Sequence, residues 1–287
     1  HSFEMRRRYE EGAIGEVTYA EGNYIHDCES IWLDITYGET DHWRNRLPPT
    51  FYCTHSLGPI MTITGHRPVQ VVGFENPPIE AFYRLGHPGG HPSGIEMVTL
   101  DNGAIVKSIH GPLKLEPSRI AYQVFGTKGF LGGSAEDMNV HLYQEGDEPC
   151  KGETTVYKPE KFVSPELAKN SGLSTHGGSD FYPTHFFIEK ILGRPDGKWA
   201  IDVYQAVDMG ICGILAFRSI LNGNKPFKVP NLRSKKERDA WRNDNACTNP
   251  DVAGDQVLPC SSYPLRKISP EQAAANRAKW LETHPAN

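Results

Sequence analysis

Apolar and polar positions change period several times along the chain, and each change marks an element. The opening HSFEMRRRYEE (1–11) predicts the back half of a helix, which Gly12 ends as a left-handed cap. Gly15 to Ile25 alternates roughly, with β-branched and aromatic residues, and predicts a strand ended by Asp27. Ser30 to Pro49 reads as irregular. Tyr52 to Thr64 is apolar at helical spacing and predicts a helix from about Thr54, with Gly58-Pro59 in its opening turns and Gly65 closing it. Val69 to Phe74 predicts a strand, and GHPGGHPSG (86–94) a loop. Ile95–Leu100 and Ala104–Ile109 predict a hairpin turned by Asn102-Gly103. Further strands follow at 120–126 and 130–132, and weaker ones at 141–145 and 154–158. Asp180 to Leu192 predicts an amphipathic helix with Phe181, Phe187, Ile188, Ile191 and Leu192 on its apolar stripe and Ser179 or Asp180 as cap. Ile201 to Leu221 predicts a helix capped by Asp202 and ended by Asn222-Gly223; it is apolar almost all round and so expected to be buried. Residues 226–230 read as extended, and 270–281 as an exposed helix.

A helix, a run of antiparallel strands and then helices, without βαβ repeats, give an α+β class: one sheet with helices on one face. A length of 287 residues suits one large domain or two small ones.

Composition narrows the functions. Thirty basic against 35 acidic residues leave a net charge of −5 and no basic run, which argues against nucleic acid as the partner. Hydrophobic content of 38% and mean hydropathy of −0.50 argue against a membrane-embedded protein; the most apolar run, Met209 to Ile220, is far short of a bilayer span. Six scattered cysteines without a CxxC predict reduced thiols and a cytoplasmic location, with Cys247–Cys260 as the pair that could bridge in an oxidising compartment. The apolar n-terminal run of a signal peptide does not occur in residues 1–12. A chain that opens inside a helix reads as a piece of a longer protein.

The glycines at 126, 129, 132 and 133 make neither GxGxxG nor a Walker loop, and they sit between strands rather than before a helix, so they read as turns. Twelve histidines occur without HExxH or a close Cys/His quartet, and no metal is expected. Cys53 and His55 are two apart, a spacing that does not bring them face to face on a helix. A richer constellation is Tyr24/His26, Trp43-Arg44, Tyr52 to His55, and His176 to Asp180. Phenols, imidazoles and a guanidinium suit proton transfer near pH 7 and grip on hydroxyls or carboxylates. Tyr24 and His26, two apart on a strand, point to one face. From spacing alone, the ordinary structural use of a tyrosine or histidine remains the favoured reading.

Four stretches in order carry a resemblance: GAIGEVTYAEGNYIHD (12–27), WRNRLPPTFYCTHSLGPI (43–60), FGTKG (125–129) and HGGSDF (176–181), the last followed by NGNKPFKVPNL. Over about residues 1–233 the chain resembles the C-terminal domain of the Gfo/Idh/MocA oxidoreductases, and within them the branch of the NAD-dependent α-N-acetylgalactosaminidases. The resemblance implies an open-faced, mainly antiparallel sheet with oligomer contacts on its uncovered face, and a C-terminal extension at 234–287. It implies a sugar or polyol substrate and NAD or NADP in the complete enzyme, acting as an oxidoreductase or as a glycosidase that oxidises C3, eliminates across C1–C2, adds water and reduces again. By motif, Tyr52 and His55 would be the catalytic proton-transfer pair, and Tyr24, His26, Arg44 and His176 would contact substrate. Cys53 and Ser56 stand where the glycosidase branch typically has Pro and Gly. The nucleotide-binding domain of such enzymes has no counterpart in this sequence, so the chain alone is not expected to bind the cofactor; a separate domain or chain would supply it, and a non-catalytic sugar-binding or oligomerisation module is the remaining alternative.

Overall fold

The computed structural model describes residues 1–160, 162–171 and 179–285. Among these residues nine strands form one sheet: β1 (Val17–Ile25), β2 (Pro68–Glu75), β3 (Gly94–Leu100), β4 (Ile105–Gly111), β5 (Arg119–Gly126), β6 (Gly129–Ser134), β7 (Val140–Glu145), β8 (Gly152–Tyr157) and β9 (Phe227–Lys228). Their spatial order is β8-β7-β6-β5-β1-β4-β3-β2-β9. Among the described residues only β1 and β4 run parallel; the other neighbours are antiparallel. The helices are α1 (Ser2–Glu10), α2 (Trp32–Thr36), α3 (Cys53–Thr64), α4 (Glu80–Arg84), α5 (Pro165–Ser171), α6 (Phe181–Ile191), α7 (Val203–Leu221), α8 (Lys235–Ala240), α9 (Pro250–Ala253) and α10 (Pro270–Thr283).

The α+β class and the open sheet hold. Helices α1, α3 and α7 cover one face of the sheet: α3 lies across β1, β4 and β5, and α7 across β2 and β3. Between them sits one core, in which Met5, Leu57, Ile60 and Leu215 meet Ala20, Val98, Val106, Val124 and Leu131. Two glycines let helix and sheet close up. A Cβ on Gly22 would lie 1.9 Å from the carbonyl oxygen of Ser56, and one on Gly73 would lie 2.1 Å from that of Ala216. Among the described residues no helix covers the other face. Along it Glu21 pairs with Lys107 at 2.6 Å, and Phe74 and Phe125 remain exposed.

Several expectations need correction. Residues 30–49 are not irregular throughout: α2 and a 3-10 turn at Trp43–Arg46 order them, because buried Trp32 donates Nε1–H to Oδ1 of Asn45 at 2.9 Å. The apolar stripe on α6 is not its buried side. Phe187, Ile188, Ile191 and Leu192 are exposed; Phe186 anchors the helix instead, edge-on to Phe3 at 5.1 Å. Nor is α7 buried all round, since only one face meets the sheet and Val203 and Ile214 stay exposed. By length and composition the run 195–221 could cross a membrane, more than its Met209–Ile220 core suggested. Here it is broken by the Asp202 capping box, and its buried face packs on β2.

The C-terminal segment docks on the rest. Asn276 and Gln272 of α10 donate to the carbonyls of Arg84 and Tyr83, and Arg218 of α7 holds Asp244 at 2.6 Å while lying over Trp241.

Candidate functional site

The end of β1 and the start of α3 build the site. Tyr24 lies in the last turn of pleat before β1 ends, opposite His110 on β4 and Ile120 on β5. Its ring faces the helix layer, 4.4 Å from the ring of His55 and 6.3 Å from that of Tyr52. Tyr52 and His55 themselves stand 5.4 Å apart, one at the N-cap and one in the first turn of α3. His26 continues the row, 5.9 Å from Tyr24. Arg44 arrives from the preceding 3-10 turn: it lies 4.5 Å over the face of Trp43 and donates Nη1–H to Oη of Tyr52 at 2.8 Å. Five of the six residues singled out from sequence therefore converge. His176 lies outside the described residues.

Local chemistry explains the geometry. Pro59 has no N–H to give the carbonyl of His55 four residues back. That oxygen instead accepts from the hydroxyl of Tyr122 on β5, at 2.9 Å. One residue on, Ser56 rests against Gly22 of β1. Helix α3 is thus fixed to the sheet on both sides of His55's turn.

Arg44 occupies a lone pair of the Tyr52 oxygen and leaves its O–H to donate elsewhere. Burial raises the Tyr24 phenol above its ordinary range, helped by Cys28 and Tyr52 nearby, so Tyr24 stays a neutral hydrogen-bonding group. Cys28 sits 3.2 Å from Nδ1 of His26, and burial pushes its thiol up to about 11. It is no nucleophile near neutral pH. Cys53 is fully buried, and burial raises its thiol well above the ordinary range, which argues against a Cys53–His55 nucleophile pair. Among the described residues, no group of three or more His, Cys, Asp or Glu side chains is placed to hold a metal.

Sequence reasoning missed Tyr122, Cys28 and a buried polar cluster beneath the site: Glu96, Ser108 and His110. Glu96 and Ser108 did leave a signal, since each occupies a core-facing phase of its alternating strand. Tyr122 carried none, because a tyrosine there reads as ordinary core.

Comparison with known proteins agrees with this architecture. The model of the glycosyl hydrolase 109 C-terminal domain matches residues 94–240. A glycosyl hydrolase family 109 protein of Solibacter usitatus is 28% identical over 78% of this chain and 55% of its own length. An alpha-N-acetylgalactosaminidase of Bacteroides fragilis is 24% identical over 81% of the chain and 59% of its own. The chain thus spans little more than half the length of these relatives. Among solved structures, levoglucosan dehydrogenase in complex with NADH and L-sorbose superposes with a TM-score of 0.57 at 14% identity, covering 79% of this chain and 62% of that one. An inositol dehydrogenase homolog from Azotobacter vinelandii, complexed with NADH and myo-inositol, gives 0.55 at 13%, covering 79% and 61%. At such identities these two speak for the fold alone. The family match spans half of the chain, from β3 through α8, and the chain belongs to the glycosyl hydrolase 109 C-terminal domain family.

Proposed function

We propose that this chain is the carbohydrate-binding and proton-transfer half of an NAD(P)-dependent enzyme acting on a sugar or polyol. The observation that carries the reading is the convergence of Tyr24, Arg44, Tyr52 and His55 at one end of the sheet. On this reading the dinucleotide is cradled outside this chain. Among the described residues the parallel pair β1 and β4 is joined through α3, β2 and β3 rather than by a single strand–helix–strand step, and the sequence lacks the GxGxxG of a dinucleotide fold. Hydride transfer belongs to a nicotinamide held elsewhere, on a nucleotide-binding domain of the same or a partner chain.

What these residues do is bind and move protons. Tyr24 and Arg44 grip hydroxyls on a ring or chain of carbons. Tyr52 and His55 take up the hydroxyl proton released as a carbinol is oxidised, and return it in the reverse direction. A second reading is a glycosidase, and family membership favours it. A ketone at C3 acidifies the neighbouring C2–H; the same Tyr–His pair suits removal of that proton, after which the aglycone leaves C1.

Two further features of the proposal rest on the surface and the thiols. A second copy packs on the uncovered sheet face, where Phe74 and Phe125 are exposed. The protein works in the reducing cytoplasm, which its six unpaired cysteines support.

The deciding experiment assays the protein together with its nucleotide-binding domain, with NAD present, on 4-nitrophenyl α-N-acetylgalactosaminide and on myo-inositol and levoglucosan. Nitrophenol release supports the glycosidase, NADH formation the oxidoreductase. Turnover of any of them that is untouched by Tyr52→Phe and His55→Asn overturns the site.

A further inference from the structure

Beneath the site lies a polar chain with no place in the core by hydrophobicity. Glu96 on β3 is fully buried, as are Ser108 on β4 and Ser56 on α3, and His110 on β4 is 1% exposed. A buried carboxylate is costly unless its oxygens are satisfied. Both are: Oε2 accepts from the hydroxyl of Ser108 at 2.6 Å, and Oε1 lies 2.7 Å from Nε2 of His110. Ser108 spends its proton on Glu96, so its oxygen takes the Ser56 hydroxyl at 2.7 Å in preference to the Cys53 carbonyl, the longer alternative acceptor of that hydroxyl at 3.2 Å. The register explains the meeting. Ser108 lies between Glu96 on one neighbouring strand and Gly22 on the other, and Gly22 is where Ser56 comes down on the sheet. The chain therefore runs from the interior of β3 to the helix residue directly after His55. At its far end His110 lies opposite Tyr24.

We propose that Glu96 is a positioning residue: through Ser108 and Ser56 it sets the rotation and depth of the first turns of α3, and so the approach of Tyr52 and His55 to Tyr24. This rests on the reading of Tyr52 and His55 as the proton-transfer pair. Helix α3 could meet the sheet through apolar contacts alone, but those are non-directional and tolerate a small slide or rotation. Directional hydrogen bonds to a fully buried carboxylate do not. A displacement near 1 Å at a proton-transfer pair is enough to cost turnover about 100-fold.

Glu96→Gln, Ser108→Ala and Ser108→Thr, made in the enzyme that carries its nucleotide-binding domain, test this beside Tyr52→Phe and His55→Asn. The probe is whichever of the three substrates above is turned over. Glu96→Gln and Ser108→Ala are expected to lower kcat about 10- to 100-fold with KM within twofold. In the chain alone, both are expected to shift the His55 ring resonances of 13C-histidine-labelled protein. Ser108→Thr, which returns the hydroxyl, is expected to restore most of kcat. Ser108→Ala is small enough to fold if Glu96→Gln does not. Full kcat in Ser108→Ala while Tyr52→Phe and His55→Asn are impaired overturns the positioning role and leaves the site standing. A loss of kcat in Ser108→Ala that Ser108→Thr does not restore, with unmoved His55 resonances, makes the cluster merely structural and also overturns it. Unimpaired Tyr52→Phe and His55→Asn bring down the site reading and this inference with it.

Discussion

The hydroxyl of Tyr122 donates to the main-chain oxygen of His55 at 2.9 Å, replacing the helix hydrogen bond that Pro59 cannot make. A strand residue 67 positions away thus completes the helix turn that carries a site imidazole. Tyr122→Phe keeps the ring and removes the donor. Leaving that carbonyl unsatisfied is expected to cost about 1–3 kcal/mol, read from urea unfolding of the chain. An unchanged midpoint would mean that the bond contributes nothing.

Tyr52→Phe and His55→Asn are each expected to cut turnover of the complete enzyme by about 10²–10⁴, the range for lost acid–base catalysis. Arg44→Lys keeps the charge but loses the planar contact with Trp43 and the geometry toward Tyr52. Its main expected effect is a higher KM for the sugar, measured by steady-state kinetics.

The histidines of the glycine-rich loop set an acid limit. Both His87 and His91 are buried, and burial lowers His87 to about 3 and holds His91 well below its ordinary value. His87 has a structural reason to stay neutral: its Nδ1 accepts from the N–H groups of Gly89 and His91 at 3.1 and 3.2 Å. In the unfolded chain both take a proton near pH 6.5. As pH falls from 6.5 toward 3 the unfolded state binds more protons, so stability is lost on acidification and is fully present above 6.5. His87 contributes about 1.4 kcal/mol per pH unit in that window, and His91 acts in the same direction. Urea midpoints at pH 7.5 and 5 should differ accordingly; equal midpoints would contradict the burial.

Thiol reactivity should follow burial. Cys150 is exposed, while Cys53, Cys212 and Cys260 are buried and Cys28 is raised to about 11. At pH 8 a disulfide reagent should label Cys150 first and leave those four slow, as peptide mapping would show. Rapid labelling of Cys28 would mean that the site is more open than its packing.

Titration of the isolated chain with NAD, followed by calorimetry, is expected to give no saturable binding in the micromolar range. Micromolar binding would place a nucleotide site within these residues.

Much of the fold was legible because period and punctuation are local. Gly12 and Gly65 end α1 and α3 with positive φ, Asp202 caps α7, and Asn102-Gly103 turns a hairpin. The misreadings at α6 and α7 share one cause. Periodicity shows that a helix has an apolar side, but not which neighbour is present to cover it, and on α6 Phe186 is the residue that is buried. Residues 30–49 were missed because their order comes from Trp32 and Asn45 meeting across a loop, which no window of sequence contains.

The sequence by itself determined the class of the protein and the ends of its main helices, since each follows from neighbours a few positions apart; the candidate residues Tyr24, Arg44, Tyr52 and His55 came from motifs shared with a family rather than from their spacing. Tertiary structure decided that β1, α3 and the Trp43–Arg46 turn bring Tyr24, Arg44, Tyr52 and His55 together, and that Tyr122 and Glu96 stand behind them. Those relations depend on strand order and on how closely a helix approaches the sheet at Gly22, and both are set by packing between segments far apart in the chain.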